Sequence, residues 1–404
     1  MTIGVKYVAY ANSSGYGLSA LAYVRALHNR GVPVWWQPSF LGGPVDRIWR
    51  PEQGMAALPL ARAGAGAGDA SLSDLPMLAQ QLCRPIAYDT VIMHTVPEHW
   101  PRIAERGRQN IGYTTWETDA LPEHWTPLLA LPDKVFVPST GNGELFARGA
   151  AGKPVHVVPH IRRHAWNTPT PEEKIALRSK LGIPGDHFVF YTIGVWDPRK
   201  ALGDLVGVFA RQFSAHDKVT LLIKTSAAPS AFAAGAGPDA PIATLVRDEV
   251  DQARTDTGIP AAPIALIAAD DISGRTIDVV HAIGDCFVSL THGEGWGGGA
   301  YDAATLGKPV IITGWGGHLD FLGADYPGLI ACALGPVSGW LHGASYRPDQ
   351  QWAIADTRDA GRLMRRMVSH YADQIPAATA VRERILNAFA EPVIARCLLA
   401  AIDA

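Results

Sequence analysis

The sequence predicts two successive doubly wound α/β domains, Rossmann-like in pattern, that face each other across a cleft. Three observations carry that expectation. Short apolar runs alternate with amphipathic stretches along the chain, which is the pattern of βα units and a parallel sheet. The alternation is interrupted by a polar, proline-bearing stretch at 162–174 (RRHAWNTPTPEEK) and then restarts. At 404 residues the chain is long enough for each domain to bury its own core.

In the first half, strands are expected at 5–10, 32–37, 90–94, 110–114, 134–138 and 155–158. A glycine turn at Gly15, Tyr16 and Gly17 follows the first strand, and a helix over 18–29 stops at Gly31. The stretches 61–73 (ARAGAGAGDASLS) and 226–241 are poor in bulky side chains and read as mobile surface loops. In the second half, strands are expected at 188–193, 219–224, 264–268, 285–290, 309–313 and 328–332, with a helix at 200–213. The expected domains are 1–165 and 166–376, followed by a C-terminal helix at 377–404 that packs back towards the first domain.

Composition narrows the function classes. Thirty-five Lys and Arg against 38 Asp and Glu give a net charge of -3, with no basic excess for nucleic acid. With 48% hydrophobic and 18% charged residues the chain is too apolar and too weakly charged to be disordered. Cys83, Cys286, Cys332 and Cys397 lie far apart with no CxxC pair, which fits reduced thiols in a cytosolic protein rather than zinc or disulfides. The start, MTIGVKYVAYANSSGYG, reads as a strand entering a glycine loop and lacks a signal peptide's apolar core. No run of about 18 apolar residues is present to span a membrane.

The stretch 285–322 carries the chemistry. A buried strand ends in a glycine loop, Glu294 to Gly299, and a helix follows from about Ala300 to Leu306. Gly295, Gly297, Gly298 and Gly299 let backbone amides approach a ligand, and a helix start behind them favours an anion. Glu294 and Asp302, eight residues apart, are placed to point into one cleft. Ionised carboxylates suit sugar hydroxyls because each accepts strong hydrogen bonds.

EGWGGGAYDAATLGKPVI, from Glu294 to Ile311, resembles the donor-binding signature of retaining glycosyltransferases of the GT-B fold, group 1 or family 4 type. That signature has two glutamates separated by seven residues; here the second is Asp302, which keeps the charge with one methylene less reach. IGVWDPRKALGDLV resembles the family's diphosphate-binding stretch. Lys200 falls on the family lysine, and Val195 stands at the family arginine, so Arg199 is expected to substitute from another angle. IGYTTWETDALPEHW, VFVPSTGNGELF and VHVVPHI resemble the N-domain of the same enzymes.

The resemblance implies transfer of a hexose from a GDP- or UDP-sugar to an acceptor hydroxyl, with retention, no metal and no resident cofactor. Glu294, Arg199 and Lys200 are then the catalytic candidates, with Gly15, Gly17, Lys224, Gly295, Trp296, Gly297, Gly298 and Asp302 on the donor. Glu117, Asp119 and His94 are acceptor candidates, although Glu117 and Asp119 equally suit a helix start and His94 a structural role. Thr115 occupies the place of a histidine common in relatives. The implied partners are a nucleotide sugar and a glycan, lipid-linked or other hydroxyl acceptor, with a cytoplasmic setting compatible with peripheral membrane association. A catalytically silent homologue and a sugar-nucleotide epimerase share the architecture and stand as alternatives.

Overall fold

The protein is described by a computed structural model covering residues 4–40, 47–58, 60, 72–150, 152–163, 166–230, 241–270, 272–339 and 345–404. The expected loops at 61–73 and 226–241 fall largely outside these residues. The first half supplies β1 (Val5–Tyr10), β2 (Val34–Ser39), β3 (Thr90–His94), β4 (Gln109–Tyr113), β5 (Lys134–Val137) and β6 (Val155–Val157). They form one parallel sheet in the order β2-β1-β3-β4-β5-β6. The second half supplies β7 (Phe188–Ile193), β8 (Val219–Thr225), β9 (Ile264–Ala268), β10 (Cys286–Ser289), β11 (Val310–Thr313) and β12 (Leu329–Ile330). Their order, β12-β11-β10-β7-β8-β9, is again wholly parallel.

The strands are apolar because helices cover both faces. β3, β5, β10 and β11 are buried at every position. Pro38 sits inside β2 without breaking a ladder because β2 is an edge strand. In each sheet the strand order reverses once, between β1 and β3 and between β7 and β10. Loops leaving the carboxyl ends of strands at such a reversal diverge and leave a crevice for a ligand.

Several expected boundaries move, each for a local reason. Gly15 to Gly17 form the first turn of a helix, Gly15–Asn29, rather than a separate glycine turn. Ser14 caps that helix by accepting from Gly17 N, and Asn12 Oδ1 in turn accepts from Ser14 N at 3.1 Å. The linker stretch becomes helical from Pro171, where Thr170 and Glu173 form a reciprocal capping box. The helix expected from Lys200 begins at Leu202, after a 3₁₀ turn at Pro198–Lys200. A small antiparallel pair, β13 (Cys332–Pro336) and β14 (Gln351–Ala355), was not expected at all.

The single C-terminal helix expected over 377–404 is instead a pair, Tyr371–Ala388 and Glu391–Asp403, bent by 51°. Pro392 explains the break, since proline favours a helix's first turn and cannot donate into a continuing one. No single helix among the described residues is long and apolar enough to cross a membrane. The last helix lies on the first sheet's side. Lys134 Nζ donates to the carbonyls of Ala401 and Ile402 at 3.1 and 3.0 Å, and Gln109 Nε2 also donates to Ile402 O. Ile394, Leu398 and Ile402 join a core that continues through Trp296, Tyr301 and Phe321 of the second half. All four cysteines are free thiols.

Replacing Lys134 with Met strips two buried carbonyls at the end of this helix of a charged donor. We expect a loss of about 1–3 kcal/mol in urea unfolding, because Ala401 O would then carry its full desolvation cost, while Ile402 O keeps the Gln109 bond. An unchanged midpoint would show that the helix end is held by packing alone.

Candidate active site

The loops leaving β7 and β10 meet at the second sheet's reversal point. Asp197 Oδ1 accepts from Lys200 N at 2.9 Å and closes the 3₁₀ turn that presents Arg199 and Lys200. Ala201 then takes φ 48°, the one positive φ of a non-glycine residue among the described residues, and turns the chain into helix Leu202–Gln212. An L-residue in that conformation is strained, and such strain persists where surrounding contacts impose it. Here Arg199 O accepts from His292 N at 2.7 Å and from Thr291 Oγ1 at 3.1 Å, which ties the β7 loop to the β10 loop.

Glu294 lies in the crook so formed. Its Oε1 is 2.5 Å from Lys200 Nζ and its Oε2 is 3.4 Å from Arg199 Nη1, which also donates to Gly293 O at 2.6 Å. Burial opposes the Glu294 charge, but Lys200 and Arg199 outweigh it and hold the carboxyl at about 2, against an ordinary 4.5. Arg199 is also buried, and Glu117, Tyr346 and Glu294 nevertheless push its pKa up. Arg199 and the Glu294 carboxylate are therefore ionised at neutral pH, with Lys200 on the same carboxylate, in a crevice that ends at helix Gly298–Thr305. Such a site has positive charge to offer an anion.

The glycines of the loop have different tasks. Gly297 takes φ 90°, which glycine alone adopts freely, and a Cβ at Gly298 would meet open space. A Cβ at Gly299 would touch the Phe287 ring. Gly295 and Gly293, by contrast, face the other domain: a Cβ at Gly295 would lie 1.7 Å from Thr115 Oγ1, and one at Gly293 2.1 Å from Glu117 O. Gly295 is therefore occupied with domain contact. Trp296 is likewise no surface for a donor, because its buried ring packs against His160, Tyr301, Phe321 and Phe389.

Asp302 is half-buried in the first turns of the helix, electrostatically coupled to the Tyr301 and Tyr191 hydroxyls. Lys224, paired in register with Ile193, is the penultimate residue of β8, at the same carboxyl end of the sheet; burial lowers its pKa, against the pull of Asp270. Val195, at the family arginine position, is 48% exposed and away from the ion cluster's bonds. On the first sheet, Gly15 opens a helix start with free space beside it, whereas Gly17 packs against Asn12 O.

The acceptor candidates are placed otherwise than expected. His94 is 1% exposed, ringed by Tyr7, Tyr16, Tyr23 and Tyr113, and bonded through Nδ1 to Tyr7 OH at 2.8 Å. Burial and then His160 depress its pKa strongly, so its ring is neutral and packed in the core. Glu117 and Asp119 hold the two halves together. Glu117 accepts from Tyr346 OH at 2.8 Å and stands 3.9 Å from Arg199, and Tyr346 stacks on Trp116. Asp119 Oδ1 accepts from Gln351 N at 2.6 Å while its own N–H donates to Gln351 O.

Sequence reasoning missed Tyr346, Gln351 and His318. Nothing local marks the first two, which lie beyond the motif, Gln351 at the start of β14 and Tyr346 in the segment before it. His318 directly follows the glycine pair Gly316-Gly317, and that close backbone approach was the available signal. Among the described residues no group of three or more His, Cys, Asp or Glu side chains is placed to hold a metal ion.

Two reversed-order parallel sheets, with an ion cluster at the reversal of the second, are the architecture of the GT-B glycosyltransferase fold. No family profile and no curated protein sequence matches the chain. Its structure is similar to a glycosyltransferase from Rickettsia africae ESF-5, with a TM-score of 0.64 and 14% identity over 99% of this chain and 97% of that one. A sucrose-phosphate synthase from Thermosynechococcus elongatus gives a TM-score of 0.63 and 15% identity, covering 98% of this chain and 99% of the other. Anabaena HepE in complex with UDP-glucose matches over 100% of both chains, with a TM-score of 0.58 and 14% identity. At such identities the likeness establishes the fold.

Two predictions follow from this geometry. Gly295→Ala should cost about 1–3 kcal/mol, the usual range for overpacking, and Thr115→Gly in the same chain should recover most of it. Thermal melts of the two single variants and the double variant check this; additive losses would mean that the two loops do not press together. Because the Glu294 carboxyl is depressed from 4.5 to about 2, its ionic contribution is complete above about 4.5 and is lost as pH falls towards 2. The stability gap between wild type and Glu294→Gln should thus be flat from about pH 6 to 8 and shrink in acid, as urea midpoints at each pH would show.

Proposed function

We propose that this protein is a glycosyltransferase that moves a hexose from a nucleotide diphosphate sugar to an acceptor hydroxyl, with retention and without a metal. The observation that carries the reading is the Arg199, Lys200 and Glu294 cluster at the β7/β10 reversal, beside the open backbone at Gly298. A uridine donor is favoured, since HepE, similar over its whole length, holds UDP-glucose.

The chemistry follows from an exchange of anions. Without donor, Glu294 is the anion on Lys200 and Arg199. An entering diphosphate carries more charge than one carboxylate and takes over the two cations and the amide at Gly298. Glu294, still ionised, then turns its oxygens to sugar hydroxyls, and Asp302 accepts from the ribose. As the bond to the anomeric carbon breaks, charge grows on the leaving phosphate where Arg199 and Lys200 are already fixed. Preorganised charge of this kind commonly supplies several kcal/mol of transition-state stabilisation. The acceptor hydroxyl attacks on the face the diphosphate leaves, and the leaving phosphate takes its proton, so no protein nucleophile is assigned. Contact of Gly293 and Gly295 with Glu117 and Thr115 closes the crevice against water, which would otherwise hydrolyse the donor.

The test is a thermal-shift and nucleotide-release screen with UDP-, GDP-, ADP- and dTDP-sugars in EDTA. One donor should raise the melting temperature and be turned over slowly without metal. Lys200→Ala should lower that turnover by about 10²–10³. Asp302→Glu should change the donor Kd measurably, because the second carboxylate then reaches further. No stabilisation of the folded protein by any donor would overturn the reading in favour of a silent homologue.

A further inference from the structure

His318 sits on the loop after β11 and is 0% exposed. Its Nε2 lies 2.7 Å from Thr313 O, and a carbonyl can only accept, so the ring proton is on Nε2. Nδ1 therefore carries a lone pair. That atom is buried and has no hydrogen-bond partner among the described residues. Burial keeps the ring neutral, against the Thr313 bond and the pull of Glu294. Buried acceptors are nearly always satisfied, so an orphan beside a binding crevice calls for a missing donor.

The surroundings place the ring next to Glu294. A Cβ at Gly297 would lie 3.4 Å from His318 Cβ and 3.7 Å from Glu294 Cγ. A Cβ at Gly316 would lie 3.2 Å from both His318 Cε1 and Glu294 N. A side chain at either glycine would press on both residues, so His318 and Glu294 pack closely on this loop, and Gly297 and Glu294 line the crevice. Gly317 N donates to Glu294 O at 2.7 Å and fixes the two loops in that relation.

We propose that His318 Nδ1 is a sugar-reading acceptor, taking a hydrogen bond from a hydroxyl of the donor's hexose alongside Glu294. The inference rests on the glycosyltransferase reading above and deepens it. A carboxylate and a neutral imidazole nitrogen can only accept, so together they select a sugar that offers two hydroxyl donors. A deoxy or fluoro sugar at the position read by His318 would leave Nδ1 unpaired and bind more weakly.

The experiment compares UDP with UDP-glucose on wild type, His318→Phe and His318→Asn by calorimetry. Phe fills the ring's volume without an acceptor, and Asn restores an oxygen near the place of Nδ1. UDP should bind all three alike, while UDP-glucose should weaken about tenfold in His318→Phe and recover in His318→Asn. Equal loss of UDP and UDP-glucose, or no loss of either, would overturn the assignment. If the variants do not fold, ¹⁵N-histidine spectra of wild type decide. The Nδ1 resonance of His318 should move with UDP-glucose and stay with UDP, and equal movement would point to trapped water or general closure. A wild type that binds neither ligand, nor GDP-mannose as a second probe, would sink the glycosyltransferase reading itself. Binding without a sugar-specific effect would sink only His318.

Discussion

The site depends on one buried ion cluster. Lys200 and Arg199 lie on a turn whose continuation is strained at Ala201, and Glu294 lies on a loop held by backbone bonds from Gly317 and, through Arg199 O, from His292. Neither loop has a regular structure of its own to hold it there. Burial makes the pairing matter, because an unpaired charge at this depth would be costly while a paired one stays ionised far from its ordinary pKa. The same arrangement leaves two cationic side chains, Lys200 and Arg199, meeting on one movable carboxylate.

The second constraint is the contact between the halves. Glu117 links Arg199 to Tyr346, and Asp119 bonds to the Gln351 backbone twice, accepting through its carboxylate and donating through its N–H, so the loop after β4 is tied to the ion cluster itself. Glycines at 293 and 295 allow the approach. An opening motion would have to break the Glu117–Arg199 pair and the Asp119–Gln351 exchange together, which couples exposure of the crevice to the charge state of its cations. The last helix, pinned by Lys134, and the shared core through Trp296 form another side of the interface.

Four buried histidines act as neutral groups. His94, His160, His281 and His318 all have pKa values lowered by burial, to about 3 for His160 and His281. Their ring nitrogens serve as fixed donors or acceptors, as in the Tyr7–His94 and Tyr191–His281 bonds. Proton transfer near neutral pH is therefore not their task.

Much was legible in the amino-acid order alone. Both parallel sheets follow from the alternation of apolar and amphipathic runs, since a strand covered on two faces must be apolar throughout, as CFVS and VIIT are. The charged residues of the second reversal point were legible because a glycine loop at a strand end leaves Glu294 few other uses. Glycine by itself, however, does not say what approaches it. Only the fold shows that Gly298 faces open space while Gly295 faces Thr115, that Trp296 and His94 are core, and that Glu117 and Asp119 bind the other domain. These are contacts between residues some tens to hundreds of positions apart, set by how two finished sheets pack. Local order determines which segments become strands, helices and loops; which loop faces a ligand, and which faces its neighbour, is decided when the domains meet.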